Sequence, residues 1–121
     1  HGNLNDVVLV PVPLHWKKKL KRGYNQAELI AEGIARQWKV PVWKNALTRS
    51  HHAPSLTGMG RADRWTQLQD TYTTNPSASF NSVQVILVDD VITTGATIQM
   101  CKEAIERGGG KVVGAMALAL A

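Results

Sequence analysis

The stretch from Val85 to Thr97 reads Val-Ile-Leu-Val-Asp-Asp-Val-Ile-Thr-Thr-Gly-Ala-Thr, and it constrains the fold more than any other part of the chain. Its leading apolar run predicts a strand buried on both faces, as in a parallel sheet. Asp89 and Asp90 are expected to stop that strand and therefore to sit at its carboxyl end. Past them, Thr93, Thr94, Gly95, Ala96 and Thr97 bring hydroxyls, small side chains and one residue without Cβ to the point where the helical pattern of Ile98, Cys101 and Ile105 begins. Backbone N–H groups of such a turn and of the open first helical turn converge on an anion, and the helix dipole adds about 0.3–1 kcal/mol. A phosphate held there cannot share its position with two carboxylates, so the ligand must turn hydroxyls or a metal toward Asp89 and Asp90. A ribose 5-phosphate meets both demands.

Across its whole length this stretch resembles the phosphoribosyl pyrophosphate (PRPP) motif of type I phosphoribosyltransferases. The resemblance implies that Asp89 and Asp90 hold the ribose 2′ and 3′ hydroxyls and act in catalysis. It further implies that Thr93 to Thr97 hold the 5-phosphate, and Ile92, projecting from the cradle, is expected to touch the acceptor. A strand ending in two aspartates also occurs in receiver domains, but there the pair lies early in the chain and a phosphate-accepting Asp follows. Here no Asp follows Asp90.

Toward the N-terminus, Val7-Val8-Leu9-Val10-Pro11-Val12-Pro13 predicts a second buried parallel strand, ended by Pro13. A basic run follows, with Lys17, Lys18, Lys19, Lys21 and Arg22 broken by Leu20. Asn25 and Glu28 have capping-box spacing, and Ala27, Ile30, Ala31, Ile34, Ala35 and Trp38 form one apolar stripe, so a helix is expected from about Asn25 to Trp38. Val-Pro-Val-Pro-Leu, the basic residues and then Arg-Gly-Tyr-Asn-Gln-Ala-Glu-Leu-Ile-Ala resemble the ComF/GntX-like group of the same family and, more distantly, the catalytic domain of amidophosphoribosyltransferases. In type I enzymes the loop after this strand contacts pyrophosphate, which implies that role for Leu14, His15 and Trp16. For the basic run, a solvated surface face and a phosphate-binding face stand level.

From Lys39 to Arg49 the pattern is a short strand, a turn at Lys44-Asn45 and another extended piece, both suited to sheet edges. Between about 50 and 82 periodicity fades, apart from a short helix that Arg61 to Tyr72 would allow. A connection this long in a compact domain is usually a lid or binding loop, and type I phosphoribosyltransferases carry a flexible loop here, so a mobile lid is expected. Arg49, Arg61 and Arg64 match basic residues of the ComF-like group and are candidates for stabilising the leaving group. Leu56 and Gln67 stand where that group has other residues, so no acceptor specificity carries over. His51 and His52 read as a solvated pair, since two ligands on one element favour a spacing that puts both on one face. Trp65 reads as a helix-face core residue, with stacking on a base as the alternative. A helix over Ala96 to Arg107, an αL stop at Gly108-Gly109-Gly110 and a strand over Lys111 to Leu120 complete a right-handed βαβ unit.

The expected architecture is therefore a single α/β domain over residues 1–121, a type I phosphoribosyltransferase-like parallel sheet flanked by helices with a long flexible lid loop. Hydrophobic residues make up 44% and charged residues 19%, which suits a globular core. The chain has no 18-residue apolar run, and a soluble, cytoplasmic protein without a membrane partner is expected. It begins His1-Gly2 rather than with Met, which leaves room for a longer natural chain. The single cysteine, Cys101, excludes an internal disulfide and reads as a small core residue.

The formal net charge of +5 favours anionic partners without choosing between a pyrophosphorylated sugar and nucleic acid. The resemblance implies displacement of pyrophosphate from PRPP by a small-molecule nitrogen acceptor. It implies Mg2+ as cofactor, with no direct protein ligation expected, and a homodimer as the assembly. A second reading, which the ComF resemblance brings, is a DNA-uptake accessory protein that binds single-stranded DNA through Lys17 to Arg22.

Overall fold

The computed structural model describes residues 6–14, 20–49 and 71–120. Three parallel strands form the main sheet in the order β1 (Val7–Pro11), β4 (Gln84–Ile92), β5 (Lys111–Leu120), so the acidic motif lies on the central strand. β1 pairs with β4 from Val7 opposite Gln84 to Pro11 opposite Val88. β5 pairs along the other side from Lys111 opposite Gln84 to Leu120 opposite Ile92, with an irregularity beside Val85 and Ile86. At the outer edge, Val42 makes a parallel bridge to Leu9, whose N–H donates to Pro41 O (3.0 Å) and whose carbonyl accepts from Trp43 N (2.9 Å). That is the edge position expected for this segment.

Two helices cover opposite faces of the sheet because alternate residues of the strands point to opposite sides. On one face Val8, Val10, Val85 and Leu87 pack with Cys101, Ala104 and Ile105 of α2 (Ala96–Arg107). On the other, Leu9 and Val88 pack with Ala31 of α1 (Gln26–Trp38) and with Val40. Strands with apolar residues on both faces need such a double cover, and the α/β expectation, with a parallel sheet flanked by helices, holds.

Both helices begin and end as their flanking residues dictate. Asn25 caps α1, its Oδ1 accepting from Ala27 N (3.1 Å), and the helix closes at Lys39 in the left-handed region. The Asn25 amide donates to Val12 O (3.1 Å) as well, so one buried side chain ties the start of α1 to the chain leaving β1. α2 starts after Gly95 (φ 82°), and the expected left-handed stop falls on Gly109 (φ 95°).

The expected lid needs correction over 71–82. β3 (Tyr72–Thr74) pairs antiparallel with β2 (Leu47–Arg49), placing Leu47 opposite Thr74 and Arg49 opposite Tyr72. Tyr72 and Phe80 are buried in the α2-side core, and the Phe80 ring lies 5.4 Å from that of Trp43. Apolar anchoring of this kind removes 71–82 from any mobile segment. Tyr72 is also strand rather than the end of a helix. The remainder of the expected lid, with His51, His52, Leu56, Arg61, Arg64, Trp65 and Gln67, lies outside the described residues, as do His15, Trp16, Lys17, Lys18 and Lys19. Among the described residues no helix is long and apolar enough to cross a membrane.

Candidate functional site

The acidic pair stands where β1 leaves β4. The last β1 partner on β4 is Val88, whose carbonyl still accepts from Val12 N (2.8 Å). Beyond Val88, among the described residues, the central strand pairs with β5 alone. The carboxylates do not stop the strand, contrary to the sequence expectation. β4 continues to Ile92, because Val91 and Ile92 find partners in Ala119 and Leu120 of β5. Strand length here is set by the neighbour's reach and not by the charges.

Alternation along β4 assigns the two carboxylates to different faces. Asp89 follows Leu87 onto the α2 face, and Asp90 follows Val88 onto the α1 face. Asp89 shares a small, open cleft of about 30 Å³ with Val91, Ile92, Thr93, Gly95, Thr97 and Ile98. Burial pushes its carboxyl up to about 6, and the neighbouring Asp90 carboxyl pushes the same way against the hydrogen bond from the Asp90 N–H (2.8 Å). Asp90 Oδ1 accepts from Val91 N (2.9 Å), and Asp90 Oδ2 lies 3.9 Å from Arg22 Nη1. That ion pair is half exposed and contributes little to stability, but it brings the end of the basic run to the acidic pair.

The turn after β4 leads directly into α2. Gly95 takes the left-handed conformation that lets Ala96 begin a helix, and Thr94 Oγ1 accepts from Ala96 N (3.2 Å). Thr93, Gly95 and Thr97 line the cleft with Asp89 and Ile92, so these sequence candidates come together in one place. Thr94, Ala96 and Asp90 border it without being lining residues. Leu14 is half-buried just past β1 and is not among the lining residues either.

Arg49, at the end of β2, lies over the Tyr72 ring with Cζ 5.9 Å from the centroid. Burial raises the Tyr72 hydroxyl above its ordinary value, while the Arg49 charge and the neighbouring Thr97 hydroxyl pull it down. Thus Arg49, Tyr72 and Thr97 form a continuous group along the α2 side of the site. Cys101 is fully buried beneath them, and burial pushes its thiol up to about 12, which leaves it a core residue without nucleophilic character. Tyr72, Arg22 in contact with Asp90, and the Asn25 clasp are features that sequence reasoning missed. The alternation of Tyr72 with threonines was the only local hint of a strand there.

No protein-family model matches the chain. It is 32% identical over 114 residues to Competence protein F of Haemophilus influenzae, covering 93% of this chain and 50% of that protein. It is 28% identical over 112 residues to Competence protein ComFC of Bacillus subtilis, covering 92% of this chain and 43% of the relative. DNA utilization protein YhgH of Escherichia coli is 26% identical over 106 residues, covering 87% of this chain and 45% of its own length. The chain therefore spans about half the length of these relatives. Among solved structures, a purine phosphoribosyltransferase from Pyrococcus horikoshii superposes with a TM-score of 0.54 over 97% of this chain and 62% of the other, at 18% identity. At that identity the likeness speaks for the fold alone. Together with the double-covered parallel sheet and the motif on its central strand, these relatives make the chain a member of the ComF-like group of type I phosphoribosyltransferase-like proteins.

Proposed function

We propose that the chain binds PRPP and transfers its phosphoribosyl group to a nitrogen nucleophile, releasing pyrophosphate. The observation that carries this reading is the single cleft in which the Asp89 carboxyl faces Thr93, Gly95 and Thr97. An anion cradle and a hydroxyl acceptor within one small cleft are what a sugar phosphate demands. In this reading the turn after β4 takes the 5-phosphate through backbone N–H groups and threonine hydroxyls. Asp89 and Asp90 accept hydrogen bonds from the ribose hydroxyls on either side of the strand edge. As pyrophosphate leaves, positive charge builds on the ribose ring and negative charge on the departing oxygens, so fixed carboxylates below the ring and cations near the leaving group are the chain's main contribution.

Mg2+ fits this donor set as an ion carried with the substrate. Among the described residues no group of three or more His, Cys, Asp or Glu side chains could cage it, and Mg2+ is commonly held by one or two carboxylates with substrate oxygens and water. Asp89 and Asp90 would hold it through water or through the ribose hydroxyls; when bound it neutralises charge on pyrophosphate. Leu14, His15 and Trp16 remain the candidates for pyrophosphate contact, with Arg61 and Arg64 as further cations for the leaving group. Ile92 lines the cleft and is the candidate acceptor contact. A homodimer in the cytoplasm completes the proposal.

Calorimetric titration of PRPP with and without Mg2+, on the wild type and on Asp89→Asn with Asp90→Asn, tests it. Magnesium-dependent binding that disappears in the double variant supports the site; no binding at millimolar PRPP to folded protein overturns it. A DNA-handling role is the second reading, and the competence and DNA-utilization names of the relatives favour it. Phosphate-backbone binding through the basic run would weaken steeply with salt. Unchanged affinity for a single-stranded oligonucleotide after replacing Lys17, Lys18, Lys19, Lys21 and Arg22 by Ala would remove the basis for it.

A further inference from the structure

The β2–β3 sheet has so far served only as a wall, yet it carries a polar group that its surroundings leave unsatisfied. Arg49 Nε is buried and has no hydrogen-bond partner among the described residues. The ion pairs among those residues join Arg22 to Asp90 and Lys44 to Glu32, so no carboxylate there lies within 4.0 Å of the Arg49 guanidinium. A buried donor without an acceptor costs roughly 1–3 kcal/mol, more when charged. Sites that keep such a group usually have a ligand, ion or water to supply the missing acceptor.

The surroundings of Arg49 say which ligand chemistry fits. Register places it directly opposite Tyr72, and the guanidinium stacks on that ring. Contact with the ring holds the guanidinium in place, and a guanidinium is the group that pairs two donors with two oxygens of one phosphate. The Tyr72 hydroxyl in turn lies beside Thr97, which lines the cleft within the first turn of α2. Among the described residues, Arg22 stands on the Asp90 side of the site and Arg49 on the Thr97 side. The cradle itself offers hydroxyls and N–H groups but no full positive charge to a phosphate dianion.

We propose that Arg49 is the cationic arm of the phosphate cradle, stacked on Tyr72 and pairing with the 5-phosphate of the bound sugar rather than with the leaving pyrophosphate. This rests on the PRPP reading above and reassigns one residue within it. Tyr72 is a positioning residue: its ring holds the guanidinium beside Thr97.

Ribose 5-phosphate and inorganic pyrophosphate separate the two roles, because each carries one of the two anionic ends of PRPP. Affinities for both and for PRPP are measured on the wild type, Arg49→Gln, Arg49→Lys and Tyr72→Phe, with circular dichroism confirming the fold. Arg49→Gln is expected to weaken ribose 5-phosphate and PRPP by the same factor, about tenfold or more for a lost charge-assisted pair, and to leave pyrophosphate unchanged. Arg49→Lys keeps the charge without the planar fork and falls between. Tyr72→Phe keeps the ring against Arg49, removes only the hydroxyl beside Thr97 and gives a smaller loss on the same two ligands. The phosphorus-31 resonance of bound ribose 5-phosphate should titrate at higher pH in Arg49→Gln than in the wild type, a change that loss of packing alone does not produce.

Loss confined to pyrophosphate and PRPP overturns the assignment in favour of the leaving group. Unchanged ribose 5-phosphate affinity in folded Arg49→Gln overturns it too. Should that variant not fold, Arg49→Lys decides by the same comparison. Wild-type protein that binds neither PRPP nor ribose 5-phosphate overturns the PRPP reading itself, which is a distinct result from wild-type binding that Arg49 substitutions leave untouched.

Discussion

The backbone N–H of Asp90 donates to Asp89 Oδ1 at 2.8 Å, so the second residue of the acidic pair anchors the side chain of the first. That bond offsets only part of what burial and the adjacent carboxyl do to Asp89, whose pKa rises from 3.8 to about 6.

Asp89 therefore holds its proton to higher pH in the folded chain than in the unfolded one. Between the two values the native state binds more protons, so stability falls as pH rises through that window, and the penalty is complete above it. Asp89→Asn should raise the stability at pH 7 by about 1 kcal/mol, after discounting the shift for the half-exposed position, while the gain disappears near pH 4. Chemical denaturation of wild type and variant at the two pH values checks the sign. On the proposed function the same substitution abolishes PRPP binding, so stability and binding move in opposite directions.

Two glycines separate binding from packing. An added Cβ at Gly95 meets nothing within 4 Å, so Gly95→Ala pays only for the left-handed backbone (φ 82°), about 1–2 kcal/mol. It also deforms the cradle and should weaken ribose 5-phosphate binding. At Gly110 a Cβ would stand 2.7 Å from Ile105 Cγ2 and 3.1 Å from Phe80 Cβ, and Gly110→Ala should cost about 1–3 kcal/mol through overpacking. Its ligand affinity, measured where the variant is folded, should stay at the wild-type value.

Asn25 tests the clasp between β1 and α1. Asn25→Ala loses a helix cap and strands the Val12 carbonyl, for a combined cost of about 2 kcal/mol in urea unfolding. Asn25→Asp retains the cap acceptor but sets a carboxylate oxygen against that carbonyl. It should fail to restore stability, although Asp caps isolated helices as well as Asn does.

Phe80→Ala should destabilise the chain by about 3–5 kcal/mol, the range for truncating a fully buried aromatic ring. If 71–82 behaved as a lid, the change in the unfolding midpoint would be negligible.

The sequence reading recovers β1, β5, α1 and α2 nearly to the residue and finds the start of β4. Each carries a long enough apolar pattern, and Asn25, Gly95 and Gly109 mark helix boundaries by their own backbone preferences. β2 is the extended piece expected after the Lys44-Asn45 turn, but β3 escapes the reading because it has three residues, two of them threonine, and is a strand only through its partner. The end of β4 is misjudged for a related reason: β5 carries it past the carboxylates. Within the site, Asp89, Ile92, Thr93, Gly95 and Thr97 are legible because they are nearly contiguous and share one cleft. Arg22 and Tyr72 come from remote segments, and no local pattern announces that the chain will return them to the same strand end.

The placement of β4 between two partners, against the three-residue strands of the opposing wall, gives the site two unequal halves in resistance to local opening. Amides of Val85 to Val88 are bonded within the core of the sheet and should exchange with solvent only on global unfolding, whereas those of β2 and β3 open at small cost. A ligand bridging Thr97 and Arg49 would register mainly as slowed exchange in Leu47–Arg49 and Tyr72–Thr74. Binding free energy would then be spent on ordering the cheap wall while the expensive one stays as it was, and turnover would need only that cheap wall to reopen.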